Sequence, residues 1–468
     1  MLDIVVIGAG AAGITFIEKT LKLKPKTKIC LIEAGNKKNN KNLGNFTEIK
    51  FYNDNLNPVN INRLFLFGGT TNHWGGYCRP LDPEDFKSRE NVNRSGWPFE
   101  INELQQYEKE AESLLELNKS FYKLKKNVNE EVSLNLFDLE EIDFDYSNTK
   151  IFSKKYENLK PKINIYFDHI AYKLNINPDT HNIVSLEIIN TKNNSTKKIY
   201  SKNFIISMGG IETTRFLLNN NNFYKNNYFN RSNKLGIGFN DHPHSVVGNF
   251  VAFQNMHNTN ERSDIRFFKN NIFFQEEKKI LNSSIRIIAF KEKSNTNFNL
   301  IKEFRNLFPK IASNILYTGN IVSVIEQEVR KENQITLSNK KDKFNIPFIN
   351  FKFNLSNLDI RTIRSTAINF SKWFASINYG RIKLKNWVTN EAENPLSNDF
   401  EWYGHHMSTT IMGTNEENSV VDRNLKVHTI NNLHVLSSST FPTGGASNPT
   451  FTIVQLALRL AEQFKKII

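Results

Sequence analysis

Residues 2–13 read LDIVVIGAGAAG and residues 28–33 read KICLIE. The first stretch opens with a largely apolar run, the pattern of a strand covered on both faces. Gly8, Gly10 and Gly13 follow, and then a helical pattern to about Leu23. The second stretch is another short apolar run, so the two enclose a βαβ unit. Glu33 closes the unit, 20 residues beyond Gly13. Only glycine permits so tight a turn and so close a backbone approach to a pyrophosphate. The start of the helix offers free N–H groups to phosphates, and an acid ending the second strand can hold ribose hydroxyls. Gly8, Gly10, Gly13 and Glu33 are therefore read as a dinucleotide site. An acid at position 33 argues against a 2′-phosphate and leaves NAD and FAD both open.

With 468 residues the chain exceeds the size at which one core stops growing, so two domains are expected. Charged residues at 23%, hydrophobic ones at 39% and aromatics at 12% describe a globular protein. The net charge of +14 invites a nucleic-acid reading. The lysines are spread along the chain, however, and no basic–aromatic platform appears. The one dense cluster, Lys123–Lys126, is read as a solvated loop. Cys30 and Cys78 lack metal-site or redox spacing and are expected to be buried bystanders, with no metal implied. No run approaches the ~20 apolar residues of a membrane span. The N-terminal strand lacks a basic leader, which points to the cytoplasm.

Further along, Ser95–Leu117 reads as a turn and a helix with Asn102 as its cap. Residues 163–201 read as a β-meander, and Asn203–Leu218 (NFIISMGGIETTRFLL) as a strand, a glycine turn and a helix. Strands are expected at Ser284–Phe290 and Asn320–Glu328, an amphipathic helix at Ser356–Ile377, and an apolar helix from Thr450 to the end. Parallel-type segments at both ends with a β-rich insert imply an α/β protein. Its Rossmann-like domain is discontinuous, built from 1–90, 150–242 and 395–468. A substrate domain of sheet and helices comes from 91–149 and 243–394.

Several motifs stand in order with the opening glycines: FGGTTNHWGG (67–76), SMGGIETTRFLL (207–218), LGIGFNDHP (235–243), YGHHMSTTIMGT (403–414) and SSSTFPTGGASNPTF (437–451). Together they resemble the glucose–methanol–choline (GMC) family of FAD-dependent oxidoreductases, on the side of pyranose oxidase and bacterial sugar oxidoreductases. The resemblance implies FAD, oxidation of a CH–OH group on a sugar or related alcohol, and an electron acceptor that is oxygen, a quinone or a redox protein. It places the family's active-site histidine at His405 and its second polar residue at Asn448. His406 is adjacent, and in an extended strand the two side chains face opposite ways, so only one can be the base. Ser408 stands where the family has glycine, and Ile411 where this branch often has arginine.

By the same resemblance FGGTTNHWGG passes beside the flavin ring. Gly69, Thr70 and Asn72 would contact the cofactor, and His73 occupies a position that can carry a covalent histidyl–flavin bond. Ile170, Gly209, Ser437, Pro449 and Thr450 complete the implied cofactor set. A base within reach of the alcohol is what hydride chemistry requires, and neutral imidazole suits it. A NAD-dependent dehydrogenase and a flavoprotein with structural or non-redox use of its cofactor are the competing readings.

Overall fold

β1 (Leu2–Ile7) is buried from Ile4 onward, which accounts for its lack of alternation. A computed structural model describes residues 1–37, 49–51, 63–90, 92, 95–117, 128–253, 265–291 and 317–467. β1 lies between β2 (Ile29–Ile32) and the strand Thr196–Ile206, parallel to both. Asn164–Tyr166 extends the parallel sheet beyond β2, and Leu433–Val435 extends it on the other side. α1 (Ala11–Leu23) and the C-terminal helix Pro449–Phe464 pack together, Phe16 meeting Phe464 edge to face at 5.4 Å. The dinucleotide turn therefore sits at the carboxyl end of a parallel sheet, where such sheets bind ligands.

The expected meander and return strand are physically one piece. The strand Thr196–Ile206 pairs antiparallel with Asn182–Asn190 over its first half and parallel with β1 over its second.

The second sheet is antiparallel, in the order 380–384, 243–252, 317–325, 283–291, 265–270, 139–142. The helix Asn357–Ser376 covers one face, beginning at a capping box made by Ser356 and Asp359. Ile363, Ala367, Phe370, Trp373 and Phe374 bury that face against Phe268, Ile285, Ile287 and Ile321. The opposite face turns towards the dinucleotide turn.

Residues 95–117 depart from expectation. They form two short helices, Asn102–Gln105 and Glu108–Leu114, with Ile101 rather than Asn102 at the first N-cap. Trp97, Phe99, Leu104, Ala111 and Leu115 join the core of the parallel sheet instead of the second sheet. The reason is the C-terminal helix, whose Gln455 donates to the Leu104 carbonyl and whose Arg459 pairs with Glu103. Only the later strand Leu139–Ile142 of that segment joins the second sheet. Cys30 and Cys78 are buried and free, and burial pushes the Cys30 thiol up to about 12. Lys123–Lys126 lies outside the described residues. Among the described residues, no helix is long and apolar enough to cross a membrane.

Candidate active site

Each glycine of the opening turn answers a different constraint. Gly8 has φ +102°, and a Cβ there would lie 2.5 Å from the Ser207 carbonyl oxygen. A Cβ on Gly13 would lie 2.3 Å from the Gly8 carbonyl oxygen, so this glycine lets α1 press onto the turn. Gly10 has an ordinary φ of −84°, and a Cβ there would meet nothing within 4 Å. Its bareness keeps space open in front of the helix. Gly10 is also the N-cap of α1, with no side-chain cap and no acid in the first turn. The orphan N–H groups of that turn thus have no protein partner of the usual kind, a setting suited to phosphate.

Glu33 accepts the backbone N–H groups of Ala9 and Gly35, each at 2.9 Å. It fastens the glycine turn to the end of β2 and still has lone pairs for hydroxyl donors. Burial holds its pKa above the usual carboxylate value, and the two N–H bonds pull the other way.

A cavity of about 490 Å³ runs from this turn to the second sheet. Gly8, Gly10, Glu33, Ile170, Gly209 and Ser437 line it, as do Gly69, Thr70, His73, Pro449 and Thr450, together with His405 and Asn448. Two residues of the expected set do not. Gly13 is used up in packing. Asn72 donates to the carbonyls of Phe67 at 3.2 Å and Gly69 at 2.7 Å and accepts from the Ser153 hydroxyl. Its amide ties the loop together rather than facing the cavity. That loop lies on the first glycine turn: Gly68 donates to the Ala9 carbonyl at 2.8 Å, and a Cβ on Gly69 would sit 3.1 Å from the Gly10 Cα. His73 caps the one-turn helix Gly69–Asn72, and partial burial lowers its pKa, favouring the neutral ring.

The histidines are arranged by an antiparallel bridge between Asn240 and Met407. The bridge sets the Asp-His-Pro segment beside His405 and His406. Asp241 accepts the backbone N–H of His405 at 3.0 Å, and burial raises its pKa to about 7. Nδ1 of His242 lies 2.9 Å from Nδ1 of His405, and Nε2 of His242 lies 2.8 Å from the Gly445 carbonyl oxygen. A carbonyl can only accept, so Nε2 of His242 carries its proton. Burial lowers the His242 pKa to about 4, so its Nδ1 holds a lone pair. His405 must then donate from Nδ1, which leaves its Nε2 as an unprotonated base. Burial, then the neighbouring His242 and His406, hold the His405 pKa well below its ordinary value.

His405 and His406 lie outside any strand, and His406 lines the same cavity. Its ring packs against Phe239 at 5.8 Å, its Nε2 is buried without a hydrogen bond among the described residues, and burial lowers its pKa to about 3. Asn448 is the N-cap of the C-terminal helix and donates to the Tyr77 carbonyl at 3.0 Å. That bond fixes the amide, whose remaining N–H and oxygen can meet an alcohol.

Ser408 has φ +69°, the left-handed region that explains why glycine is usual at this place. Its hydroxyl donates to the Phe441 carbonyl at 2.7 Å, which offsets part of a strain of roughly 1–2 kcal/mol. Ile411, the other departure, is buried.

Sequence reading missed His242, His244, Tyr403 and Arg286, which gather around His405. The Asp-His-Pro motif contained His242 but gave no sign of its partner. At the far end of the cavity Arg63 pairs with Glu212 and Arg215 with Asp342. These pairs also lack a local signature.

The open space before Gly10, the uncapped first turn of α1 and the acid at Glu33 together fit FAD at this end of the cavity. Residues 329–457 match the GMC oxidoreductase family. Over 64 residues, 14% of this chain, the sequence is 39% identical to dehydrogenase str4 of Strobilurus tenacellus, a stretch spanning 10% of that relative. The fold is similar over 99% of both chains to pyridoxine 4-oxidase from Mesorbium loti, with a TM-score of 0.66 and 13% identity. It is also similar to a formate oxidase variant from Aspergillus oryzae RIB40 (TM-score 0.63, 14% identity, 100% of this chain and 98% of the other). A further similar structure is an FAD-dependent oxidoreductase from Chaetomium thermophilum (TM-score 0.63, 13% identity, 100% and 99% covered). At these identities the likeness is one of fold.

Proposed function

We propose, from the match of residues 329–457 to the GMC oxidoreductase family, that the protein oxidises a CH–OH group of a sugar or sugar-like alcohol, with His405 as the general base. FAD, when bound, supplies the acceptor for hydride. The observation that carries the reading is the hydrogen-bonded chain from the Gly445 carbonyl through His242 to His405, which leaves Nε2 of His405 free to take a proton.

An alcohol gives up hydride readily only as its hydroxyl proton leaves. Nε2 of His405 takes that proton. The ring then becomes an imidazolium whose Nδ1–H still points at the His242 lone pair, a charge-assisted bond stronger than the neutral one. Asn448 orients the same oxygen without competing for the proton, because its amide does not titrate in this range.

The test is anaerobic mixing of the flavin-loaded protein with a panel of sugars and simple alcohols, following loss of flavin absorbance. His405→Ala is expected to retain flavin and bleach roughly 10²–10⁴-fold more slowly. His406→Ala, which removes a ring packed on Phe239, is expected to bleach at near the unmodified rate. The opposite pattern would transfer the role to His406, and absence of bleaching by every alcohol would remove the redox reading.

A further inference from the structure

The wall of the cavity beyond His405 is formed by the strand Ser283–Lys291. Ile285, Ile287 and Ala289 point into the core beneath the helix Asn357–Ser376. Ser284 and Arg286, on the alternate face, line the cavity with Phe267 and Val324. Arg286 hydrogen-bonds the Tyr403 hydroxyl, and its charge also acts on His244 and Tyr77.

Arg286 has no carboxylate partner among the described residues, and its Nε–H is buried without an acceptor. Arg63, Arg79, Arg89, Arg215 and Arg266 are each paired with an acid. The carboxylates lining the cavity are committed elsewhere. Glu33 holds Ala9 and Gly35, Glu212 pairs with Arg63, and Asp342 pairs with Arg215. Glu401 is exposed and accepts the Tyr403 hydroxyl at 2.6 Å. Next to Arg286, both ring nitrogens of His244 are buried without hydrogen bonds among the described residues, while its ring stacks on Tyr403 at 4.1 Å. A guanidinium facing a cavity with unused donors beside it is costly to leave unpaired, and its fork matches carboxylate and phosphate oxygens.

We propose that Arg286 recognises an anionic group on the substrate, so that the alcohol oxidised at His405 also carries a carboxylate or a phosphate. This rests on the reading of His405 as base at the same cavity. Arg286 is a specificity residue here, and Ser284 and His244 complete the polar surface around the anion.

The experiment uses the flavin-loaded protein and matched probes: D-glucuronate and D-glucose 6-phosphate against D-glucose, and glycolate against ethylene glycol. Binding is read without oxygen from perturbation of the flavin absorption spectrum, separately from bleaching. The charged member of at least one pair is expected to bind at least about tenfold more tightly. Arg286→Gln is expected to bring that ratio close to one, whereas Arg286→Lys keeps part of it. The glucuronate and glucose 6-phosphate arms decide between carboxylate and phosphate. Neutral members binding as tightly as charged ones, or no binding by any anion, would overturn the assignment in the unmodified protein alone. A preference that survives Arg286→Gln would overturn it as well. Anion-selective binding without bleaching leaves Arg286 in place and removes the oxidation reading; bleaching by neutral alcohols without anion preference does the reverse.

Discussion

Nδ1 of His242 and Nδ1 of His405 lie 2.9 Å apart although 163 residues separate them in sequence. The Gly445 carbonyl fixes the proton of His242 on its far nitrogen, so the pair has a defined direction. His242→Ala should remove the acceptor that selects the His405 tautomer. The expected result is flavin reduction slower by about tenfold, the scale of one hydrogen bond. His242→Asn, whose oxygen can replace Nδ1, should recover part of the rate and restore the pH profile. If His242 merely packed, both variants would alter thermal stability and leave the pH dependence of reduction unmoved.

The pH dependence follows from the lowered His405 pKa, caused first by burial and then by His242 and His406. A depressed pKa means that the neutral base persists as pH falls. The acid limb of the flavin-reduction rate should therefore lie below the ordinary histidine value of ~6.5, not at it. Stopped-flow reduction across pH 4.5–8 measures it, and a half-maximal rate at or above ~6.5 would contradict the buried, neutral base.

Gly10 and Gly13 offer a paired test of cofactor space against fold. Gly10→Ala places a methyl where no protein atom lies within 4 Å. The apoprotein should keep its stability to within about 0.5 kcal/mol, while flavin content after purification falls. Gly13→Ala drives a Cβ against the Gly8 carbonyl. Its expected cost is about 1–3 kcal/mol in apoprotein stability, the range for overpacking. Thermal melts and flavin-to-protein ratios separate the two outcomes.

His73 lines the cavity with a lowered pKa, so its neutral ring is available to bond the cofactor. Acid precipitation reads this directly: flavin in the protein pellet, moved into the supernatant by His73→Ala, would assign the bond to His73. Flavin in the supernatant from the unmodified protein would reduce His73 to a residue of the cavity wall.

The legible part of this protein is local. Gly8, Gly10, Gly13 and Glu33 could be read because one short βαβ unit constrains them all, through permitted backbone angles and the geometry of a single turn. The helix near Ser356 was legible through its periodicity, and its observed start agrees. FGGTTNHWGG was legible as a loop needing bare backbone, yet Asn72 turned inward to hold that loop together. No periodicity distinguishes an amide that faces a cavity from one that faces its own chain.

Sequence by itself determined the dinucleotide turn and the strand character of the buried runs. These depend on residues within a few positions of one another. Only the tertiary structure decided which histidine meets His242, that Arg286 lines the cavity without a carboxylate partner among the described residues, and that residues 95–117 pack on the C-terminal helix. Those relations join strands and helices distant in sequence. Their distances are set by sheet register and the packing of whole faces, which no single stretch of chain encodes.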